Sequence, residues 1–271
     1  MSTFLFDSEP AGQYFNQTAS NIFLDVSYGK GSAQHMDVYM PANRSSAATK
    51  SLILIHGGGW NSGSRHNITS YINSFKKRIP DYAIFNVDYT LVNARVTLSV
   101  LENDIKEAVN FISAQAQEYK INPGKLVLLG ISAGAHLALL QAYKYDEPKI
   151  AAVIDFFGPT DLISMYNKPW HAMIPHLLEA LLDGSPHTNH YAYKSASPAS
   201  FIIAETPPTL IFHGKQDFIV DISQSKSLHQ KLLSAGVVSQ LEINNAGHGW
   251  FGTALSDSFD KIAIFLKENL G

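Results

Sequence analysis

Four short segments of this chain carry groups suited to acyl-transfer chemistry. Gly130-Ile131-Ser132-Ala133-Gly134 closes an apolar run, Leu126 to Leu129, and opens a helix-like stretch from Ala135 to about Tyr143. A G-x-S-x-G pentapeptide recurs by chance, but between a strand and a helix it describes a sharp turn that holds the serine hydroxyl out into solvent. The flanking glycines are needed because a β-carbon there would collide with the neighbouring strand or helix. On its own the pentapeptide is equally a small-residue turn that packs a helix on a strand. Three further segments weigh against that: His56-Gly57-Gly58-Gly59-Trp60, His213-Gly214-Lys215-Gln216-Asp217 and Gly247-His248-Gly249-Trp250.

A serine hydroxyl is a poor nucleophile near neutral pH and needs a base. Among eleven histidines, His248 stands out, because it follows the last expected strand between glycines that let it reach across the sheet. A carboxylate must orient that base and stabilise its imidazolium. Asp217 follows the run Leu210-Ile211-Phe212 by a short loop, at the carboxyl edge of a parallel sheet where such residues emerge. Asp221 competes, although a cap for a helix starting near Ser223 is its better use. The order Ser, Asp, His is that of α/β-hydrolases. Gly57-Gly58-Gly59 after a buried strand can present successive amides to an oxyanion, and the Ala133 amide at a helix start can add another. His136 reads as a packing or supporting histidine, and Asp88 and Asp161 as turn and cap residues. Trp60, Trp170 and Trp250 are the side chains expected to meet a substrate. No cluster has metal-ligand spacing and no dinucleotide or P-loop pattern appears, so neither metal nor cofactor is expected.

The elements that must position these groups alternate. Strands are expected at 22–28, 35–40, 51–55, 82–89, 126–129, 150–157, 208–212 and 237–243. Ser51-Leu52-Ile53-Leu54-Ile55 has the continuous apolar pattern of a strand buried on both faces. Helices are expected at 68–79, 101–119, 135–143, 223–233 and 254–270, the second carrying Ile105, Ala108, Val109 and Ile112 on one face. This alternation requires parallel crossovers and a sheet covered on both sides. One segment breaks the rhythm. Between Asp161 and Glu205 lies a stretch rich in aromatic residues and histidine, with a short apolar helix at Met173 to Leu182, read as a cap over the site.

At 271 residues and 45% hydrophobic content the chain can bury one large core. A formal charge of −3 offers no basic surface for nucleic acid or anionic membrane. The absence of cysteine excludes disulfides, thiolate metal sites and a cysteine nucleophile. No stretch reaches the roughly 18 apolar residues of a membrane helix. The segment Met1-Ser2-Thr3-Phe4-Leu5-Phe6-Asp7 lacks the basic region of a signal peptide, so a cytoplasmic location is expected unless a leader has been removed.

Together these residues resemble the serine-dependent α/β-hydrolases of the carboxylesterase/lipase group that carry an H-G-G-G-W oxyanion motif, over nearly the whole chain. The resemblance implies a mostly parallel eight-stranded sheet with helices on both faces, 1–271 as a single domain and 162–205 as a cap inserted in it. It implies Ser132, Asp217 and His248 as a triad and Gly58, Gly59 and Ala133 as oxyanion donors. Val87-Asp88-Tyr89, Phe157-Gly158-Pro159-Thr160-Asp161 and Ser197-Pro198 are similar to further family segments. Ile131 departs from the acidic residue or histidine usual before the nucleophile, which leaves the subfamily open. Short-chain esterases, acetyl-xylan and feruloyl esterases and kynurenine formamidases share the motif.

The expected activity is cofactor-independent hydrolysis of a small-molecule ester, with a formamidase-like or acyl-peptidase amide hydrolase as the alternative. A non-catalytic binding protein of this fold typically lacks the nucleophile or the histidine, and this chain keeps both. A homo-oligomer stays open.

Overall fold

The apolar runs become the inner strands of one sheet in the computed structural model, which describes residues 19–271. The leader reading at Met1 to Asp7 therefore lies outside the described residues. The strands are β1 (Asn21–Ser27), β2 (His35–Met40), β3 (Lys50–Ile55), β4 (Tyr82–Val87), β5 (Leu126–Ile131), β6 (Ile150–Phe156), β7 (Thr209–Gly214) and β8 (Ser239–Asn244). They form an eight-stranded sheet in the order β1-β2-β4-β3-β5-β6-β7-β8. Only the β1/β2 and β2/β4 pairs are antiparallel. The others are parallel, as crossover connections demand. This is the α/β-hydrolase fold.

The helices are α1 (Thr69–Arg78), α2 (Leu98–Ala114), α3 (Ala116–Tyr119), α4 (Ala133–Lys144), α5 (Leu162–Asn167), α6 (Met173–Leu182), α7 (His190–Ser195), α8 (Ser223–Ser234) and α9 (Gly252–Leu270). Alternation along β3 separates two cores. Ile53 and Ile55 point to the face covered by α2 and α4, with Leu101, Ile105, Val109 and Leu137. Leu52 and Leu54 point to the face covered by α1 and α9, with Phe75, Phe259, Ile262 and Phe265. Both faces are dry, which is why these strands show no polar alternation in sequence.

The elements differ from expectation in several places. The long helix begins at Leu98 and breaks at Gln115, and its short continuation ends where Lys120 turns left-handed at φ 55°. β4 stops at Val87, where the Asp88 amide makes a last bond to the His35 carbonyl at 2.9 Å, the Asp88 side chain binds Arg65 and the Tyr89 hydroxyl donates to the His56 carbonyl. The segment between β6 and β7 holds three helices, not one. Leu162, Met165, Ile174, Leu178, Leu181 and Tyr193 from these helices are buried in the α2/α4 core. No helix among the described residues is long and apolar enough to cross a membrane.

Candidate active site

Ser132 sits between β5 and α4 with φ 55° and ψ −118°, a conformation that L-residues rarely adopt. Such strain, typically about 1–3 kcal/mol, persists only where the surroundings over-determine it. Here the Ser132 amide donates to the Phe156 carbonyl at 2.8 Å, and the Ser132 carbonyl accepts from the His136 amide at 3.0 Å. The turn also needs bare backbone beside it. A β-carbon on Gly134 would stand 2.3 Å from the carbonyl oxygens of Ile55 and His56.

The other expected side chains converge on this turn. The Ser132 hydroxyl lies 2.8 Å from Nε2 of His248, and Nδ1 of His248 lies 2.7 Å from Oδ2 of Asp217. The second carboxylate oxygen of Asp217 accepts the amides of Ile219 and Val220 at 2.8 and 3.0 Å. His213 closes the far side, its Nε2 3.4 Å from Oδ2 of Asp217. That ring is itself fixed, with Nε2 2.9 Å from the Val220 carbonyl and Nδ1 2.7 Å from the Ser225 hydroxyl. Burial on its own would raise the Asp217 carboxyl. The hydrogen bonds from His213, His248 and the Ile219 amide, with the charge on His248, hold it well below the usual carboxylate range. An ionised Asp217 keeps the proton of a neutral His248 on Nδ1, which leaves Nε2 free to accept from Ser132. Asp221 is elsewhere. It accepts the Ser223 amide at 2.8 Å at the start of α8 and the Trp170 indole N–H.

The glycine loop lies directly against the serine. A β-carbon on Gly57 would stand 3.3 Å from Cβ of Ser132 and 2.7 Å from the Ile131 carbonyl oxygen. Gly58, Gly59 and Trp60 follow with φ of 125°, 58° and 64°. The Gly58 carbonyl accepts the amide and hydroxyl of Ser62 at 3.0 and 2.7 Å, which closes the loop into a tight turn. Leu177 of α6 covers it, with a side-chain carbon 3.8 Å from where a Gly59 β-carbon would be.

Two of the three tryptophans do not take the place expected of them. Trp60 is 2% exposed and donates its indole N–H to His136, while Trp250 is 6% exposed among Phe156, Phe157 and Phe212 and donates to Ser258. With no free ring face, both are packing residues. Trp170 is 54% exposed, edge-on to the exposed Phe218 of the acid loop. Asp161 caps α5 as expected, accepting the Ser164 amide at 2.9 Å. Asp88 is no turn residue but the partner of Arg65, with its Oδ1 3.6 Å from Nε2 of His56.

Three neighbours are not among the site residues expected from sequence. Phe157, left-handed at φ 47°, lays its ring 4.5 Å from the His248 ring. His213 stands in the H-G-K-Q-D segment, where only its contact with Asp217 gives it meaning. Asp155 is fully buried in β6 and accepts the Gly158 amide at 2.7 Å, in the turn that carries Phe157. Among the described residues, no group of three or more acidic or histidine side chains could hold a metal ion.

The chain is similar to known proteins. Two proteins of Mycobacterium tuberculosis (strain ATCC 25618 / H37Rv) are similar to the chain. The probable carboxylic ester hydrolase LipM is 27% identical over 222 residues, 77% of this chain and 51% of its own length. Esterase LipC is 26% identical over 262 residues, 90% of this chain and 64% of its own length. The chain thus spans about half to just under two thirds of these curated relatives. Among solved structures, a truncated carbohydrate esterase from gut microbiota superposes with a TM-score of 0.77 at 22% identity, over 94% of this chain and 98% of that one. Thermogutta terrifontis esterase 2 phosphonylated by sarin superposes with a TM-score of 0.75 at 25% identity, over 93% and 95%. The BD-FAE family model matches residues 36–232, from β2 through most of α8, and so takes in the glycine loop, the serine turn and the acid loop. The chain belongs to the BD-FAE family.

Proposed function

We propose that this protein is a serine esterase that hydrolyses carboxylic esters by acyl transfer through Ser132. The observation that carries this reading is the unbroken hydrogen-bond chain Ser132–His248–Asp217, at 2.8 and 2.7 Å, on a serine held in a strained turn. Ser132 Oγ attacks the ester carbonyl while His248 Nε2 takes its proton, and Asp217 stabilises the imidazolium that forms. The tetrahedral oxyanion is stabilised by the amides of Gly58, Gly59 and Ala133, the last at the positive end of α4. Collapse of the intermediate breaks the ester C–O bond, and His248 returns the proton to the leaving alcohol. Water then attacks the acyl-enzyme with His248 again as base, releasing the acid and restoring Ser132.

Residues 162–205 form a fixed cap in this reading, since their apolar side chains are part of the main core. The exposed Trp170 and Phe218, edge-on to one another in and beside the Asp217 loop, are the apolar surface proposed to meet the substrate. Amide hydrolysis would use the same groups. The ester reading is preferred because the relatives that cover most of this chain carry ester-hydrolase names.

The test compares wild type with Ser132→Ala on p-nitrophenyl acetate, butyrate and longer esters. The variant should lose at least about a thousandfold in kcat, as removal of a nucleophile does elsewhere. Equal rates for the two proteins would remove the reading. Activity on N-formylkynurenine with none on the esters would replace it by the amide alternative.

A further inference from the structure

His136 lies one helical turn beyond Ser132, fully buried, and makes two hydrogen bonds in opposite directions. Its Nδ1 is 3.1 Å from the indole nitrogen of Trp60, and its Nε2 is 2.7 Å from the Ala196 carbonyl just past α7. An indole N–H can only donate and a carbonyl can only accept, so one tautomer satisfies both partners: bare Nδ1 and protonated Nε2. Burial pushes the imidazole down to about 4, against the pull of the Ala196 carbonyl, which keeps it neutral around neutral pH. The indole stands edge-on to the imidazole, with ring centroids 5.3 Å apart at 90°. Trp60 directly follows Gly59, and its carbonyl accepts the Val92 amide at 2.9 Å.

Resting on the esterase reading above, we infer that His136 and Trp60 are positioning residues that set the distance between the nucleophile and the oxyanion donors. The geometric path is short. The His136 amide is bonded to the Ser132 carbonyl, its imidazole holds the Trp60 indole, and the peptide bond of Trp60 continues into Gly59. Gly58, Gly59 and Trp60 all have left-handed backbone, and the Gly58–Ser62 turn gives the donor loop one anchor. The Trp60 indole gives it the other, on the helix that begins at Ser132 itself. The Ala196 bond stops the imidazole from rotating and ties the end of the cap to the same point.

Three variants separate this role from plain packing. Trp60→Phe keeps the aromatic ring and removes the N–H. His136→Gln can still reach the Ala196 carbonyl but no longer presents an acceptor at the Nδ1 position. His136→Asn keeps an acceptor at that position and gives up Ala196. Trp60→Phe and His136→Gln should lower kcat on p-nitrophenyl butyrate by about tenfold to a hundredfold with KM changed less than about twofold, as expected when donors to a transition state are misplaced. The Ki of phenylboronic acid, whose tetrahedral adduct would occupy the donor site, should rise with the loss in kcat. His136→Asn should retain most of the wild-type kcat. The Trp60→Phe/His136→Gln double variant should be no slower than the worse single one, because both remove one contact. Wild-type kcat in Trp60→Phe and His136→Gln would overturn the inference. So would losses in all three variants that match the unfolded fraction read from circular-dichroism melting. Either result leaves the esterase reading standing as long as wild type and Ser132→Ala differ, so the two failures are distinguishable.

Discussion

Asp155 and Asp217 lie on and just beyond neighbouring strands, both buried, and their surroundings drive the two carboxyls in opposite directions. For Asp217, burial is outweighed by hydrogen bonds from two imidazoles and a backbone amide, so it stays ionised through the whole range above its ordinary value. Its contribution to stability is present above that value, and is lost only as pH falls through the depressed one. Asp155 has less help. Burial raises it to about 7, opposed by the Gly158 amide and the charge on His213, and its Oδ2 has no hydrogen-bond partner among the described residues. The sign is then reversed: the folded protein holds a proton that the unfolded chain releases, and stability declines as pH rises from about 4 through about 7. Asp155→Asn stays neutral at every pH and keeps an oxygen for the Gly158 amide. Relative to wild type, its stability in urea unfolding should improve by about 2 kcal/mol between pH 5 and pH 8. A pH-independent difference would show that Asp155 does not titrate in that interval.

The serine turn joins β5 to α4 and depends on glycine for contact more than for conformation. Gly134 is helical, yet it packs against the end of β3 so closely that a β-carbon would stand 2.3 Å from two carbonyl oxygens. Those carbonyls belong to Ile55 and His56, where β3 runs into the glycine loop. Neither side can yield without separating the serine from that loop. Gly134→Ala should therefore lower kcat on p-nitrophenyl butyrate by about a hundredfold or more. It should also cost a few kcal/mol of stability, about 1–3, as an overpacked contact does. Denaturant unfolding alongside steady-state kinetics reads both, and a fully active Gly134→Ala would mean that the helix can slide away from β3 without harm. Strand β5 and helix α4 were legible because their apolar runs are long. Helices α5 and α7 were not, because six-residue helices in an insertion are held by tertiary burial, not by their own periodicity.

At the scale of the molecule, the antiparallel strands β1 and β2 must be tied to the parallel sheet that carries the site. Arg65 does this from the 3-10 turn before α1. Its guanidinium meets Asp25 of β1 at 2.8 Å, Asp37 of β2 at 3.1 Å and Asp88 after β4. Its main chain joins in, the amide donating to Asp88 at 2.6 Å and the carbonyl accepting from Asn86 at 2.8 Å. Asp25 is largely exposed, but removing Arg65 leaves the charges of the buried Asp37 and the mostly buried Asp88 uncompensated. Arg65→Ala should lower unfolding stability by about 3 kcal/mol, measured in guanidinium chloride. An unchanged midpoint would assign the tie to the strand pairing alone.

Read without its fold, the chain already pointed to the alternation of strands with the longer helices, and to Ser132, His248 and Asp217, which the structure brings within hydrogen-bond reach of one another. Those signals are local: glycines where backbone must pass close, apolar runs where strands are buried, and loop residues placed at strand ends. What tertiary structure alone decided is which side chains face one another. Trp60 and Trp250 look like substrate contacts in sequence because they directly follow the Gly57-Gly58-Gly59 and Gly247-His248-Gly249 segments. Folding buries them, because an indole among Phe156, Phe157 and Phe212, or against His136, removes far more apolar surface from water than one in an open cleft. The partnerships of His213 with Asp217 and of His136 with Trp60 were illegible for a related reason. One pair is close in sequence and one distant, but each is defined by the direction of a ring nitrogen, which a strand end or a helix turn sets only once the elements have packed.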